Sequence, residues 1–365
     1  MTLPISASET ITLAFQHTKR QLFQPFRIGQ WTRLAIVGLL AGETGSSGGS
    51  NFPPTFNIPQ HSGSSRNFFP EQWPHIDPAI LGTLITVLVV TGLIFAIVML
   101  YVNSVMRFIL FDSVLTRECR IREGWSRRQR PGWDYFLWQL GYMIVVLVGF
   151  GVLLGIPAAY AYAQGWFRDP NDHVAALTLG GIVVFCLAFV FFVAAYLVHV
   201  LTKDFVVPQM ALEGIDAIEG WRRLWPMMQQ ETGRYAGYVG LKIVLAIAAG
   251  IVVGIVAFVI ALVIAIPAVV VSLAGILGGK AAGLTWNALT ITALIVAGCI
   301  AVAVLLYVIA LVSVPVIVFF PAYAIYFFAA RYRALSLALY PPPSGSINAP
   351  PQDFPPPSPA PSPTG

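Results

Sequence analysis

Residues 174–201 read VAALTLGGIVVFCLAFVFFVAAYLVHVL, a run without Asp, Glu, Lys or Arg. A helix of about 20 apolar residues, rising about 1.5 Å each, crosses the hydrocarbon core of a bilayer. The rest of the chain has the same character, because 57% of its 365 residues are hydrophobic, 10% are charged, and the mean hydropathy is +0.76. Soluble domains carry about 25% charged residues, so this composition excludes an ordinary soluble protein and predicts an all-α membrane protein.

The same length criterion finds six candidate spans. Four of them are clear: Ala79–Tyr101, Phe136–Ala163, Val174–Leu201 and Tyr238–Pro267. The fifth, Leu284–Ala330, is too long for one straight span, and its internal prolines predict a kink followed by an interfacial end. The remaining candidate, Phe26–Gly42, is short, and Arg27 and Arg33 near its start can extend to the headgroups.

The distribution of basic residues predicts the orientation. With six spans and both termini inside, 18 of the 21 Lys and Arg residues face the cytoplasm, and only Arg66, Arg168 and Lys280 face outward. This asymmetry follows the positive-inside rule and predicts a multi-pass protein of the cytoplasmic (inner) membrane with cytoplasmic N- and C-termini. A seventh span would place Arg331 and Arg333 outside, so seven spans is the second choice.

Composition divides the chain into seven segments. They are a cytoplasmic amphipathic helix (1–25), a first span (26–42), a flexible outer loop (43–78), a first repeat unit (79–173), a second repeat unit (174–283), a kinked last span (284–340) and a disordered Pro-rich tail (341–365). The tail has 11 prolines in 25 residues, which predicts a solvated tether. For the outer loop we favour a flexible connection over a partner-binding lid, since its composition builds no core.

A short motif occurs twice and predicts a parallel internal duplication. Glu123-Gly124-Trp125-Ser126-Arg127 recurs 96 residues later as Glu219-Gly220-Trp221-Arg222-Arg223, and the same offset pairs Gly141-Tyr142 with Gly237-Tyr238. Each copy reads as a span, an inner amphipathic helix and a second span, in the same direction along the chain. Such repetition is typical of membrane proteins built from two related units.

The second copy predicts an amphipathic helix from Ala211 to Met228 on the inner membrane surface. Its apolar face carries Ile218, Trp221 and Trp225, and Glu219 forms an i,i+4 pair with Arg223 on the other face. Candidate contacts to anionic lipid headgroups or to a protein partner are Glu123, Trp125, Arg127, Glu219, Trp221, Arg223 and Trp225. The simpler interpretation, which we favour, is that the tryptophans anchor the helices at the interface.

Small residues spaced four apart predict close helix packing. Gly151 and Gly155 form one such pair, and Gly250 and Gly254 form another at the equivalent place in the second unit. We favour packing within the chain over a dimer face, because the two pairs occupy equivalent spans.

No catalytic, cofactor or metal site is predicted, and no nucleic-acid partner. The span interiors carry essentially no ionisable side chains, so ion-coupled transport lacks its usual residues, and His199 and Lys242 lie near inner span ends. The G-x-S-x-G match at 45–49 follows no strand, and the sequence at 275–280 lacks the Ser or Thr of a phosphate loop. Nothing brings His61, His75 and Asp77 together as metal ligands.

Two stretches resemble a known group of proteins. The first is Ala14-Phe15, Lys19-Arg20, Pro25-Phe26, Trp31 and Leu34 before a Gly-rich loop, and the second runs from Val207-Pro208 to Trp225-Pro226. They are similar to an uncharacterised prokaryotic polytopic membrane protein family, itself described as similar to the membrane domain of glycerophosphodiester phosphodiesterase. The resemblance implies a bacterial inner-membrane protein of unknown function and supplies no catalytic residue.

These observations favour a non-enzymatic scaffold or accessory subunit that holds lipids or partners at the inner surface. The alternative is a permease or flippase for lipid-like or amphiphilic solutes. A membrane-lipid-modifying enzyme is the third hypothesis.

Overall fold

The computed structural model describes residues 6–24, 26–43, 78–167, 169, 171–281 and 288–340, and these residues form an all-helical protein. The helices are α1 (Ala7–Phe23), α2 (Ile28–Leu40), α3 (Pro78–Thr116), α4 (Ile121–Ala163), α5 (Val174–Leu201), α6 (Val207–Glu213), α7 (Ala217–Gln230), α8 (Thr232–Ala281), α9 (Ala288–Ala329) and α10 (Arg333–Leu339). A π-helical turn, Thr202–Val206, joins α5 to α6. Most of the predicted outer loop and the Pro-rich tail lie outside the described residues.

Five helical segments of the described chain are long and apolar enough to cross a membrane. They are Leu81–Thr116, Ile121–Ala163, Val174–Glu213, Thr232–Pro267 and Ile295–Ala329. The prediction of an all-α, multi-pass membrane protein is therefore confirmed at this level. The predicted first span corresponds to α2, whose 13 residues extend about 20 Å, less than the roughly 30 Å of a hydrocarbon core. The count of six spans remains a prediction.

Two helix boundaries differ from those expected from the sequence. In the second unit, the helix predicted from Ala211 to Met228 is interrupted at Gly214, which has a left-handed φ of +67° and ends α6. A glycine takes this conformation without steric cost, so α7 starts afresh after Asp216. In the first unit, the predicted inner helix and the following span are one continuous helix, α4.

The buried core lies at one end of the helix array. It combines α1, α2, the C-terminal half of α3, the π-helical turn, α6, the start of α8 and the end of α9. Aromatic rings fill its centre: Tyr238 stacks on Tyr323 with centroids 4.9 Å apart, and Phe327 lies 4.5 Å from Tyr238. Phe205 packs against the same rings, at 5.1 Å from Tyr238. This cluster joins the π-helical turn to α8 and α9.

The other halves of the long helices are separate and exposed. Every side chain described from residue 81 to residue 99 of α3 is exposed, and the same holds for most of the apolar side chains of α5 between residues 174 and 193. Apolar surface of this extent is stable only when something other than water covers it. Contact with the lipid bilayer follows from this exposure.

Helix α1 hydrogen-bonds to the C-terminal end of α3. Helix α1 starts with a capping box between Ser6 and Glu9. His17 Nε2 bonds to the carbonyl oxygen of Val114 at 2.9 Å, and Gln21 donates to that of Ser113 at 2.8 Å. These carbonyls belong to the last turn of α3, which has no intrahelical donors for them. Polar side chains of α1 therefore supply the missing partners.

Candidate functional site

The inner side of α7 is fixed to the core at three positions. Gly220 lies so close to Val206 that a Cβ on the glycine would be 2.7 Å from a valine methyl carbon. Leu224 is fully buried. Trp221 donates from Nε1 to the Thr202 hydroxyl at 2.9 Å and is partly buried against the core. The structure thus gives Trp221 an internal partner.

The outer side of α7 presents apolar and charged side chains together. Ile218 is 71% exposed and Trp225 is 56% exposed. On the neighbouring face, Arg223 donates from Nε to Glu219 at 3.0 Å, which is the predicted i,i+4 pair, and it also bonds to Glu213. These hydrogen bonds raise the pKa of Arg223, so the guanidinium stays charged. Of the predicted contacts on α7, Trp225 is the most accessible apolar one.

The corresponding residues of the first unit lie at the start of α4. Glu123 and Arg127 are exposed, and Arg127 pairs with Asp112 at 3.1 Å. Trp125 is partly buried, with its ring edge-on to Tyr101 at 6.2 Å. As in the second unit, the tryptophan of the motif packs inward while the charged residues face outward. The predicted contact residues therefore form two groups: the motif tryptophans pack against the core, and the charged residues lie at the surface.

The two units contact each other through Arg128. It donates to Asp112 at 2.7 and 2.8 Å and to the carbonyl oxygen of Ala211 at 2.6 Å. The glycines of the two Glu-Gly-Trp motifs have similar surroundings. A Cβ on Gly124 would lie 3.1 Å from Ile109, as a Cβ on Gly220 would lie close to Val206. Each Glu-Gly-Trp glycine thus lets its helix approach the preceding one.

A cluster of buried ions lies where α2, α3, the π-helical turn and α8 meet, and no local sequence pattern predicts it. Glu43 accepts from Lys203 at 2.5 Å, with 3% and 8% of the side chains exposed. Asp204 forms a second buried pair with Lys242, and it also accepts from the Tyr238 hydroxyl at 3.0 Å. Both pairs are removed from water, which is costly unless the geometry is good and the remaining groups are bonded.

Arg107 adds a third cation to this cluster. Its guanidinium donates to the carbonyl oxygen of Ala41 and to the Tyr135 hydroxyl, both at 3.0 Å. Burial alone raises the pKa of Glu43, but the charges of Lys203 and Arg107 outweigh burial and hold that pKa below its ordinary value. A cavity of about 30 Å³ beside the cluster has room for a water molecule.

The predicted duplication contains one sequence signal for this cluster. Arg107 and Lys203 are 96 residues apart, the same offset as the two Glu-Gly-Trp motifs. The two cations thus come from matching positions of the predicted repeat units and approach the same carboxylate, Glu43. The sequence predicts that Glu43 lies in the outer loop, because nothing local pairs it with a residue 160 positions away.

Three of the four predicted packing glycines have no close neighbour among the described residues. A Cβ built on Gly151, Gly155 or Gly254 would meet nothing within 4 Å. Gly250 is partly exposed. The close approach of α4 to α5 occurs instead at Gly149, where a Cβ would overlap the Phe191 ring. A role of the predicted pairs in association between chains stays a prediction.

The arrangement offers ion pairs, aromatic anchors and apolar surface. Among the residues that the structure describes, no group of three or more His, Cys, Asp or Glu could hold a metal ion. The candidates His61, His75 and Asp77, and the G-x-S-x-G match at 45–49, lie outside the described residues. The backbone of residues 275–280 belongs to helix α8, whereas a phosphate loop needs an open turn.

Residues 5–338 match the model of a family of unknown function, DUF7544. No curated protein and no solved structure matches the chain. The expectation of an uncharacterised family is confirmed by the family match, which shows no link to glycerophosphodiester phosphodiesterase.

Proposed function

This chain belongs to the family DUF7544, whose function is unknown, and we propose that it is a non-enzymatic scaffold or accessory subunit of the membrane. In this role α7 and the start of α4 hold a protein partner at the cytoplasmic surface, with anionic lipid headgroups as a second contact. The single observation that carries the proposal is that Ile218 and Trp225 of α7 are exposed although Gly220, Trp221 and Leu224 fix the opposite side of the helix to the core.

The fixed inner side of α7 supports this role. An exposed tryptophan on a rigid helix loses little conformational freedom when a partner covers it, and tryptophan is frequent among residues that dominate binding energy. Arg222 and Arg223 lie beside it and supply charge at the rim. The proposal for α7 therefore rests on a rigid, mixed apolar and charged surface.

We extend the proposal to the topology: six crossings, with both termini on the cytoplasmic side of a bacterial inner membrane. His17 of α1 bonds to the Tyr326 hydroxyl near the end of α9 at 3.1 Å, so α1 and the end of α9 lie at the same end of the array. Five successive spans alone would place them at opposite ends. Their position at the same end therefore supports a further crossing between α1 and α3, and so an even number of crossings. The 96-residue offset between Arg107 and Lys203 supports the parallel duplication.

Cysteine labelling tests this topology. Ser126 and Arg222 are exposed, one in each unit. Ser126→Cys and Arg222→Cys are expected to react with a membrane-impermeant maleimide only from the cytoplasmic side. Labelling of the two positions from opposite sides would overturn both the orientation and the parallel duplication.

Photo-crosslinking in native membranes tests the scaffold role. Benzoylphenylalanine at position 218 or 225 is expected to give a discrete adduct with one protein. The control is position 189 on α5, where Phe189 is exposed on a predicted span and is expected to give lipid adducts only. If positions 218 and 225 give only lipid adducts, as the control does, α7 does not hold a protein partner. Changing Trp221 instead would disturb the core.

One observation favours the second candidate, a permease or flippase for amphiphilic solutes. A mainly apolar groove of about 600 Å³ lies between α4 and the start of α7, and Trp138, Tyr142 and Ile218 line it. A groove of this size has room for part of an acyl chain. Scrambling of a fluorescent phospholipid in proteoliposomes, lost in Gly141→Trp, would favour this candidate over the scaffold.

A further inference from the structure

A polar recess lies between the start of α2 and the turn from α3 to α4. Its volume is about 300 Å³. The lining residues are Arg27, Gly29, Gln30, Arg33, Glu118, Cys119 and Arg120. Gly29 faces open space, since a Cβ there would meet nothing within 4 Å. We call this recess the arginine pocket.

The arginine pocket has an excess of positive charge. Its one carboxylate, Glu118, accepts two hydrogen bonds from Arg120, at 2.9 and 3.1 Å, so the two charges offset each other. Arg33 makes a long contact, 3.5 Å, to the carbonyl oxygen of Cys119. The Arg27 guanidinium has no hydrogen-bond or ion-pair partner among the residues that the structure describes. Two guanidinium groups thus remain without a counter-charge in the pocket.

Exposed apolar side chains adjoin these arginines. Phe26 is 57% exposed and Ile28 is 68% exposed, one on each side of Arg27 in the chain. The Phe26 ring also packs on Trp31, with centroids 5.5 Å apart. Further along α2, Leu39 is exposed as well. An apolar strip about 20 Å long therefore runs along α2 from the arginine pocket.

We propose that the arginine pocket binds the phosphate of an anionic phospholipid whose acyl chains lie along the exposed face of α2. Guanidinium groups bind phosphate oxygens in a bidentate manner. Gly29 and Gln30 of the first turn of α2, the end of a helix that favours anions, line the same recess. A ligand that satisfies both parts of the site needs an anionic phosphate and hydrocarbon, and a phospholipid has both. Basic pockets on the cytoplasmic side of membrane helices bind anionic headgroups by this chemistry.

This lipid site is separate from α7 and does not depend on the proposed scaffold role. A result at the arginine pocket therefore leaves the α7 proposal standing, and failure of crosslinking at α7 leaves the lipid site standing.

The test measures lipid binding to the full chain in detergent by native mass spectrometry, with dioleoylphosphatidylglycerol against dioleoylphosphatidylcholine. The wild type is expected to prefer phosphatidylglycerol. Arg27→Gln/Arg33→Gln is expected to reduce this preference about tenfold or more, since each arginine near a membrane surface contributes about a factor of five. The control Arg122→Gln/Arg222→Gln removes the same charge from exposed positions elsewhere and should keep the preference within about twofold.

Three results would overturn the lipid site: no preference in the wild type, equal losses in both double variants, or displacement of phosphatidylglycerol by millimolar inorganic phosphate. The last result would identify free phosphate as the ligand. If Arg27→Gln/Arg33→Gln does not fold, Arg27→Gln alone replaces it, because Arg27 is exposed. A severalfold loss is then expected, and an unchanged preference would contradict the proposal.

Discussion

Glu43→Gln tests whether the buried ion cluster holds the end of α2 against the rest of the protein. The substitution keeps the size of the side chain but removes its charge. Lys203 then stays buried without the Glu43 charge, near the like charges of Arg107 and Lys242 and the opposite charge of Asp204. Removing one member of a buried ion pair typically costs about 3–5 kcal/mol, because the other charge is left uncompensated. We expect the free energy of unfolding to fall by about this amount.

The measurement is SDS-induced unfolding of the purified chain, followed by tryptophan fluorescence. Glu118→Gln is the matched control, since it breaks the exposed pair with Arg120 and should cost at most about 1 kcal/mol. Lys203→Met in the Glu43→Gln background removes the excess buried positive charge, so the double variant should be more stable than Glu43→Gln alone.

The pH dependence gives an independent check. The folded-state pKa of Glu43 lies below the ordinary value of 4.5, so its stabilisation is fully present above pH 4.5 and is lost as the pH falls through the lowered pKa. Glu43→Gln should flatten the stability curve in that acidic range. Equal small losses for Glu43→Gln and Glu118→Gln, or a double variant no more stable than Glu43→Gln alone, would refute the reasoning.

Two further predictions concern packing and the N-terminal helix. Gly132→Ala should lower the free energy of unfolding by about 1–3 kcal/mol, because its Cβ would lie 2.7 Å from a Val105 methyl carbon, whereas Gly141→Ala, with nothing within 4 Å, should not destabilise; equal SDS midpoints would contradict this. Burial, and then the charge of Arg117, lower the pKa of His17 below 6.5, so its contribution is full above pH 6.5 and is lost as the pH falls below it. His17→Gln should show a flatter stability curve just below pH 6.5, and an unchanged slope would mean that another group titrates there.

Local sequence features were sufficient for the helices themselves. Uninterrupted apolar runs such as 174–201 need only their own length and composition to predict a span, since each backbone group is satisfied within its helix. The i,i+4 pair of Glu219 and Arg223 was predictable for the same reason, because it depends on helical spacing alone. The break at Gly214 was missed, although glycine is a common helix terminator.

The contacts of the charged residues could be identified only from the tertiary structure. Arg107, Lys203 and Lys242 read as ordinary cations at inner span ends, and Trp221 read as an interfacial anchor. The fold brings Glu43 to Lys203 and turns Trp221 toward Thr202, so these side chains became internal contacts. The positions of charged residues along the chain do not show which of them pair in the folded protein.

By itself, the sequence determined that this protein is helical and resides in a membrane, because hydrophobicity and helix length are properties of consecutive residues. Only the tertiary structure decided which polar side chains leave the surface and which apolar ones stay on it. Burial of Glu43 beside Lys203, and exposure of Trp225 on the same core, depend on contacts between segments far apart in the chain. Such contacts are set by how the helices pack, and no local pattern of residues encodes them.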